Sequence, residues 1–574
     1  MSRPLGEWAS TCGIKPQQII EIAKEFTSHG KKAATDMYRG AVQHTNGYYT
    51  GVSIIYLNML IGNTDYLGGL QIGGGHWHED GSKHGVYDLG KANHPGKMTV
   101  FGPPITREKS RYEDTSLYRE NGYPAKRNWY PHTGNIYQEI LSSGEDKYPY
   151  GIDFLFLHKG TPLLSMPGGN AAIDYVSNPK KLPLFIASDI IIGESSMFAD
   201  YIFPDTTYME RWGTPHTTPD VAQKASKVRQ PIVPSITEMV DINGEKMPIN
   251  LEAVYIAIAE KLGLSGFGKN AFDNGLPLTR PEDWYLKFVA NIAHESGGVP
   301  EASDEEVKLF VKSRRHFPKE YFSVDRYKKA VGGDEALFRK VVYVLNRGGR
   351  FENYANAFTK APFSESQLKG FLTFYIENVA STKNSITGKN FSGIGVYEHI
   401  KQMNGTKTGF EDLKGDEIRM STFKEVFGGQ SRTIGNYWTQ ISLDPENVLL
   451  MNKIDADRYE IKDGDWVTIQ SESNPKGEID LKNGNKIQVK ARTRVIQGVR
   501  PGVVTMSWHF GHWAYGGSDV EIDGQIVKGD PRRKDSACPN PVLALDKSLG
   551  NMTLTDPIGG SASYLDSKVR IVKL

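Results

Sequence analysis

The residues best placed to do chemistry lie in LPLFIASDIIIGESSMFADYIFPDTTYMERWG, residues 182–213. An apolar run, Leu184–Ala187, ends abruptly in Ser188–Asp189. A hydroxyl and a carboxylate therefore stand at the carboxyl edge of a strand, where open α/β sheets hold nucleotides. One carboxylate there can accept two parallel N–H bonds, the pattern offered by the N1 and exocyclic amine edge of guanine. The same Asp can also simply cap the helix that follows, and the residues by themselves leave both readings open. His76 and His78 in GGGHWHEDG alternate with no third ligand nearby, which favours surface or interface roles over a metal site. The two cysteines, Cys12 and Cys538, are far apart and fit no metal-type spacing. That excludes a cysteine-held iron–sulfur cluster or zinc site made by this chain alone.

Such groups need a scaffold, and the hydrophobic periodicity supplies one. Residues 16–29 read as an amphipathic helix, with Pro16 in its first turn, Ile19, Ile22, Ala23 and Phe26 on one face, and Gly30 as its stop. The short segment Ala33–Tyr38 leads to the polar cluster RGAVQHTNG at 39–47, followed by a helix pattern through Val52, Ile55, Tyr56, Met59 and Leu60. Residues 70–150 carry little periodicity and read as a long irregular excursion. Strand 153–158, a Gly/Pro loop at 160–169, a short helix near 171–176 and strand 184–187 form a β-loop-α-β alternation that argues a Rossmann-like lobe. Leu251, Val254, Tyr255, Ile258 and Leu262 share a helix face ending at Gly263. Ser303 with Glu306 makes a capping box inside 276–345, which reads as a surface excursion with short helices. The last 150 residues change character: Val448–Leu450, Trp466–Gln470, Ile487–Arg492 and Val503–Trp508 are β-rich runs between Asp-Gly, Asn-Gly and Pro-Gly turns, as in a compact β-barrel. The expected organisation is 1–150 as the end of one α/β domain plus the excursion, 151–345 as a Rossmann-like domain with a helical insertion, 346–420 as a connection, and 421–574 as the barrel.

Composition narrows the function classes. At 574 residues the chain is long enough for several domains with large cores. Its 68 basic and 67 acidic residues nearly cancel, so no bulk charge drives it toward nucleic acid or a membrane surface. No stretch approaches 18 continuous apolar residues, and the opening MSRPLGEWASTCG carries no secretory-signal core. No internal repeat is evident.

Four blocks together resemble the molybdopterin oxidoreductases of the dimethyl-sulfoxide-reductase family: RGAVQHTNG (39–47), LNMLIGNTDYLGG (57–69), Ser188–Gly213, and the barrel from STFKEVFGGQSRT (421–433) through NKIDADRYEIKDGDWV to PGVVTMSWHF (501–510). Within the family the chain looks most similar to tetrathionate reductase catalytic subunits, with arsenate and polysulfide reductases as neighbours. The resemblance implies α/β Rossmann-like lobes followed by a double-psi-type β-barrel. It implies a molybdenum bis(molybdopterin guanine dinucleotide) cofactor, whose chemistry the protein binds and tunes, and reduction of a sulfur oxyanion. Family members open with a cysteine-rich domain that binds a [4Fe–4S] cluster and then supply a metal ligand; neither is found in this sequence. The expectation is therefore a C-terminal portion, inactive alone, whose N-terminal half comes from a separate chain or is missing. Its implied partners are that N-terminal half, an iron–sulfur electron-transfer subunit, and indirectly a membrane quinol-oxidising subunit, with residence in the periplasm when assembled. A non-catalytic scaffold or decayed fragment is the alternative from another class.

Residue by residue, the resemblance makes Gln43 a pterin contact and puts Arg39, four residues earlier, beside the metal, where a guanidinium suits an oxyanion. Asn170 in MPGGN would approach the dinucleotide backbone, with Gly168–Gly169 letting main chain come close. Ser188 and Asp189 would read guanine, and Arg211 would sit near a phosphate or the guanosine. Asn250 stands where many relatives have an acidic group. Thr422, Lys424, Ser431 and Thr433 would wrap the second dinucleotide, where hydroxyls and backbone N–H groups can bind pyrophosphate. Asn551 and Lys568 match the last two cofactor contacts. Trp508, His509 and Phe510 would end a barrel strand near the pterin. No residue of the chain is expected to ligate the metal.

Overall fold

The computed structural model describes residues 3–89, 102–213, 221–272, 275–359, 361–365, 372–409, 413–426, 437–442, 446–514, 516, 519–522, 524–529 and 537–574. The chain divides into two compact units, each assembled from discontinuous segments: Met1–Asp36, Ile55–Val100 and Phe203–Leu372 in one, Met37–Ile54, Phe101–Ile202 and Thr373–Leu574 in the other.

The second unit is built on a closed six-stranded barrel. Around the barrel the strands run Trp466–Ser471, Lys490–Ile496, Val448–Asn452, Val503–Ser507, Glu417–Phe423 and Ser567–Lys573, which returns to the first. Two neighbouring pairs are parallel, Arg492 opposite Val448 and Val503 opposite Arg419, and the remaining pairs are antiparallel. Strict alternation fills the interior: Ile418 and Met420, Leu449 and Met451, Val467 and Ile469, Val504 and Met506 are all buried. The side-chain period of two sends each intervening residue outward, so register and core are fixed together.

The same core continues into the layer formed by Leu163, Leu164, Ile173, Tyr175 and Phe185. Here Phe154–His158 pairs in parallel with Leu184–Asp189, Phe154 opposite Leu184, and Tyr201–Pro204 is the third strand of the sheet. The Rossmann-like lobe expected across 151–345 extends no further as a sheet among the described residues. Strands Ala225–Lys227, Met239–Ile242 and Glu245–Pro248 form two-stranded pairs elsewhere.

The first unit contains a second core, and it lies where a surface excursion was expected. Helices Pro281–His294, Asp304–Ser313, Val324–Ala330 and Glu335–Arg347 bury Leu286, Val289, Phe310, Phe338, Val341 and Val342 among others. Their high charge density misleads because most of it lies on the outer faces, although Glu282, Asp283 and Lys287 are buried. Ser303 and Glu306 do form the capping box expected of them. Helix Leu251–Lys261 is present, but its buried side is Ala253, Val254, Ile256 and Ala259, leaving Tyr255, Ile258 and Leu262 exposed. Helix Pro16–Ser28 forms and buries no residue, and the charge-free helix Gly47–Ile61 leaves Leu60 70% exposed. No described helix is long and apolar enough to cross a membrane.

Candidate cofactor site

In the second unit a late segment of chain, residues 540–567, gathers several of the candidate loops. Tyr564 donates its N–H to the Gln43 carbonyl at 3.3 Å and its hydroxyl to the Ser165 carbonyl at 2.7 Å. Asp566 accepts from Thr45 N and pairs with His44, and Asp556 accepts from Tyr48 N. Asn540 bonds the Leu164 carbonyl and receives Gly168 N, while Thr553 Oγ1 donates to the Pro167 carbonyl. The RGAVQHTNG loop and the MPGGN loop are thus pinned to one scaffold, and Gln43 and Asn170 ride on those loops.

Two candidate atoms in this region are buried with no hydrogen-bond partner: Ser188 Oγ and Asn170 Oδ1. Leaving such a group unpaired costs about 1–3 kcal/mol. Asp189 is different. Its Oδ1 accepts Ile190 N at 2.8 Å and its Oδ2 accepts Ser196 Oγ at 3.0 Å, and it is almost wholly buried. Both carboxylate oxygens accept from the turn that follows the strand, while the next helix, Ser196–Phe198, takes no side-chain cap. Gly168 and Gly169 are also needed for a reason other than the one expected. A Cβ on Gly169 would lie 2.2 Å from the Pro162 carbonyl oxygen, and Gly168 combines φ +65° with contact on Leu545, so packing within the chain demands them.

Other candidates are drawn into the protein. Asn551 accepts from Arg127 and donates to Glu145 at 2.8 Å. Lys568 pairs with Arg419 and reaches Glu417 at 3.8 Å, at the opposite end of strand Glu417–Phe423 from Lys424, so the two are not brought together. Lys568 lines a cavity of about 770 Å³ with Lys407, Lys414, Lys547 and Arg570. Thr422 lies on its strand opposite Met506 and is half-buried; Lys424 is exposed just beyond. Ser431 and Thr433 lie outside the described residues. In the first unit Arg211 is held by Asp205 at 3.4 Å and Glu252 at 3.1 Å. Burial works against its charge, and those two carboxylates outweigh burial and raise its pKa. It is committed to ion pairs rather than extended toward a phosphate. Asn250 caps the helix Leu251–Lys261 through Ala253 N. His76 and His78 face Glu79 and Glu295, and no group of three His, Cys, Asp or Glu among the described residues is placed to hold a metal. Burial, with Glu194 adding to it, pushes the Cys538 thiol up to about 12, so it is a core thiol.

Several residues went unnoticed in the sequence: His44, Asp566, Asp556, Tyr564, and the buried pair Glu194–His512, 2.9 Å apart. Adjacency to Gln43 was the one local signal, and it pointed only to His44.

Comparison with known proteins gives the class of protein to which this fold belongs. The Molybdopterin oxidoreductase family matches residues 8–239 and the Molydopterin dinucleotide binding domain matches 418–540. The chain belongs to the molybdopterin oxidoreductase family, and its cofactor is the molybdenum bis(molybdopterin guanine dinucleotide). It is 45% identical to a selenate reductase subunit of Mesobacillus selenatarsenatis, over all of this chain and 54% of that protein. It is 31% identical to a tetrathionate reductase subunit of Salmonella typhimurium, over 92% of this chain and 50% of that protein. Among solved structures, acetylene hydratase from Pelobacter acetylenicus matches with a TM-score of 0.53 and 12% identity, covering all of this chain and 65% of that one, a likeness of fold. The chain spans about half the length of the curated relatives it matches. These matches do not support restricting it to a C-terminal portion, since the oxidoreductase and dinucleotide-binding families both fall on it.

Proposed function

We propose that this chain closes around the cofactor in a reductase whose substrate is an oxyanion of the selenate or tetrathionate kind. It would act as part of a catalytic subunit fed by an iron–sulfur electron-transfer partner in the periplasm. The barrel's two parallel pairs support the double-psi-type reading of the dinucleotide lobe. The observation that supports the substrate class is the 45% identity, over all of this chain and 54% of the relative, with a selenate reductase subunit; it moves the preferred substrate from a sulfur to a selenium oxyanion.

The cofactor, when bound, supplies a metal centre able to exchange two electrons. The chain's own share is binding and charge. Gln43 and Asn170 present amide groups from pinned loops, and Ser188 presents a hydroxyl from the end of its strand. Arg39 is exposed on the same loop as Gln43, stacked 5.4 Å over Tyr38, and makes no ion pair among the described residues. A guanidinium with its donors unspent can bind a doubly charged oxyanion and stabilise charge on the departing group.

The test is to purify the chain with its native partners, measure molybdenum and guanine nucleotide, and assay oxidation of a reduced viologen with selenate, tetrathionate and arsenate. A guanine-to-molybdenum ratio of about two and the highest kcat/KM with selenate are expected. Preference for arsenate, or no oxyanion turnover, would overturn the reading. Arg39→Ala should lower turnover by about 10²-fold with molybdenum content intact; parallel loss of metal would make Arg39 a cofactor-binding residue instead.

A further inference from the structure

Asp566 has no exposed surface in its side chain and accepts three hydrogen bonds. They come from Thr45 N at 2.8 Å, Ser563 Oγ at 2.7 Å and His44 Nδ1 at 2.6 Å. With Thr45 N and Ser563 Oγ both donating to it, the carboxylate is placed to accept the third bond as well, from a proton on Nδ1. The partner thereby fixes the tautomer: Nδ1–H points at Asp566, and Nε2 is left to accept or, when protonated, to donate. The His44 side chain keeps 27% of its surface while Asp566 keeps none. The exposed part of the ring lies away from the Nδ1 atom that Asp566 covers, which leaves Nε2 as the nitrogen free to serve a substrate.

The backbone around the ring cannot swing freely. Gln43 is held through its carbonyl by Tyr564, Thr45 Oγ1 accepts from Lys401 N at 3.1 Å, and Asn46 Nδ2 donates to the Glu398 carbonyl at 2.7 Å. An imidazole oriented at one nitrogen by a buried carboxylate, with the other nitrogen accessible, is the arrangement proteins use to hold and hand over a proton. His44 lies next to Gln43 and five residues from Arg39, on the loop already assigned to cofactor and oxyanion.

We propose that His44 is a catalytic proton donor of this site, giving its Nε2 proton to the oxygen that leaves the oxyanion, and that Asp566 is its positioning residue. The proposal rests on the oxyanion-reductase reading above. Removing one oxygen as water breaks one element–oxygen bond and forms two O–H bonds. The electron pair comes from the reduced cofactor and is taken by the central element. One proton comes from His44 and the second from water, and His44 is reprotonated from solvent at its open edge. The ionisable groups on elements packed against the loop are Glu398 and Lys401, paired with each other at 2.8 Å, together with Asp556 and Tyr564; Arg39 lies on the loop itself. Asp566 is the only one of these carboxylates bonded to the ring.

His44→Asn tests this, because the Asn amide can replace Nδ1–H toward Asp566 while removing Nε2. In the assembled enzyme, molybdenum and guanine content and thermal midpoint should stay at wild-type values. Turnover with selenate should fall about 10²–10⁴-fold, and the decline on the alkaline side of the wild-type pH profile should vanish. Asp566→Asn should shift that decline to lower pH. Independently of turnover, one of the 14 histidine signals in a 13C-histidine spectrum should disappear in His44→Asn, and the same signal should titrate at lower pH in Asp566→Asn. Wild-type turnover and pH profile in His44→Asn would overturn the proposal, as would loss of molybdenum in step with activity. If wild type reduces no oxyanion, the functional reading fails instead, and the spectrum still reports whether Asp566 sets the proton affinity of His44.

Discussion

Two buried polar clusters in the second unit differ in one respect. Around Glu139 every valence is filled: it takes Arg107 and Arg127, the Ser143 hydroxyl and the Tyr130 phenol, and Arg107 further donates to the Asn128 and Ile105 carbonyls. In the region of Ser188 and Asn170, by contrast, Ser188 Oγ, Asn170 Oδ1, Trp513 Nε1 and Glu194 Oε2 are buried without a partner. Both clusters are equally sealed from water, so burial alone cannot tell structure from function. Completeness can: a network closed on itself holds the fold, and one left open has room for a polar guest.

That contrast can be broken experimentally. Glu139→Ala strips the shared carboxylate from two fully buried arginines and should destabilise by about 3–5 kcal/mol, read as a drop in denaturation midpoint. Asp556 tests an intermediate case, since burial pushes its carboxyl up to about 6 even though Tyr48, Ile558 and Gly559 all donate to it. A carboxyl raised in the folded state contributes stability that is complete below the unfolded value near pH 4 and is lost as pH rises through about 6. Stability measured from pH 4 to 7 should therefore carry a fall of about 3 kcal/mol from this group, absent in Asp556→Asn. Ser188→Ala should change stability by less than about 1 kcal/mol, because it removes a hydroxyl that gives no hydrogen bond to the fold, while guanine nucleotide content drops. A large loss of stability there would place Ser188 with the closed cluster. A comparably small effect belongs to the first unit, where burial lowers the Lys287 ammonium to about 8. Lys287→Met should be neutral or stabilising by about 1 kcal/mol at pH 7, by the same denaturation measurement.

What could be read from sequence follows how far apart the interacting residues are. Helix Pro16–Ser28, strands Phe154–His158 and Leu184–Asp189, and the alternating barrel strands were all legible, because their signals repeat within a few residues. The face of helix Leu251–Lys261 was misjudged: small residues Ala253 and Ala259 pack inward where larger apolar ones were expected to. The core of 281–347 was hidden by charge on its outer faces. The strand end at Ser188 was legible, but the bond from Ser196 Oγ to Asp189 was not, since Ser196 carried no distinct pattern. His44 and Asp566 are 522 residues apart, and nothing in either neighbourhood announces the other.

The wide separation of those partners orders events during synthesis. Residues 39–50 leave the ribosome long before residues 540–567, so the loop carrying Gln43 lacks its Asp566, Asp556 and Tyr564 anchors while the residues between are still being translated. The pinned arrangement can then form only after residues 540–567 have emerged. A premature stop before residue 540 would remove all of those anchors at once.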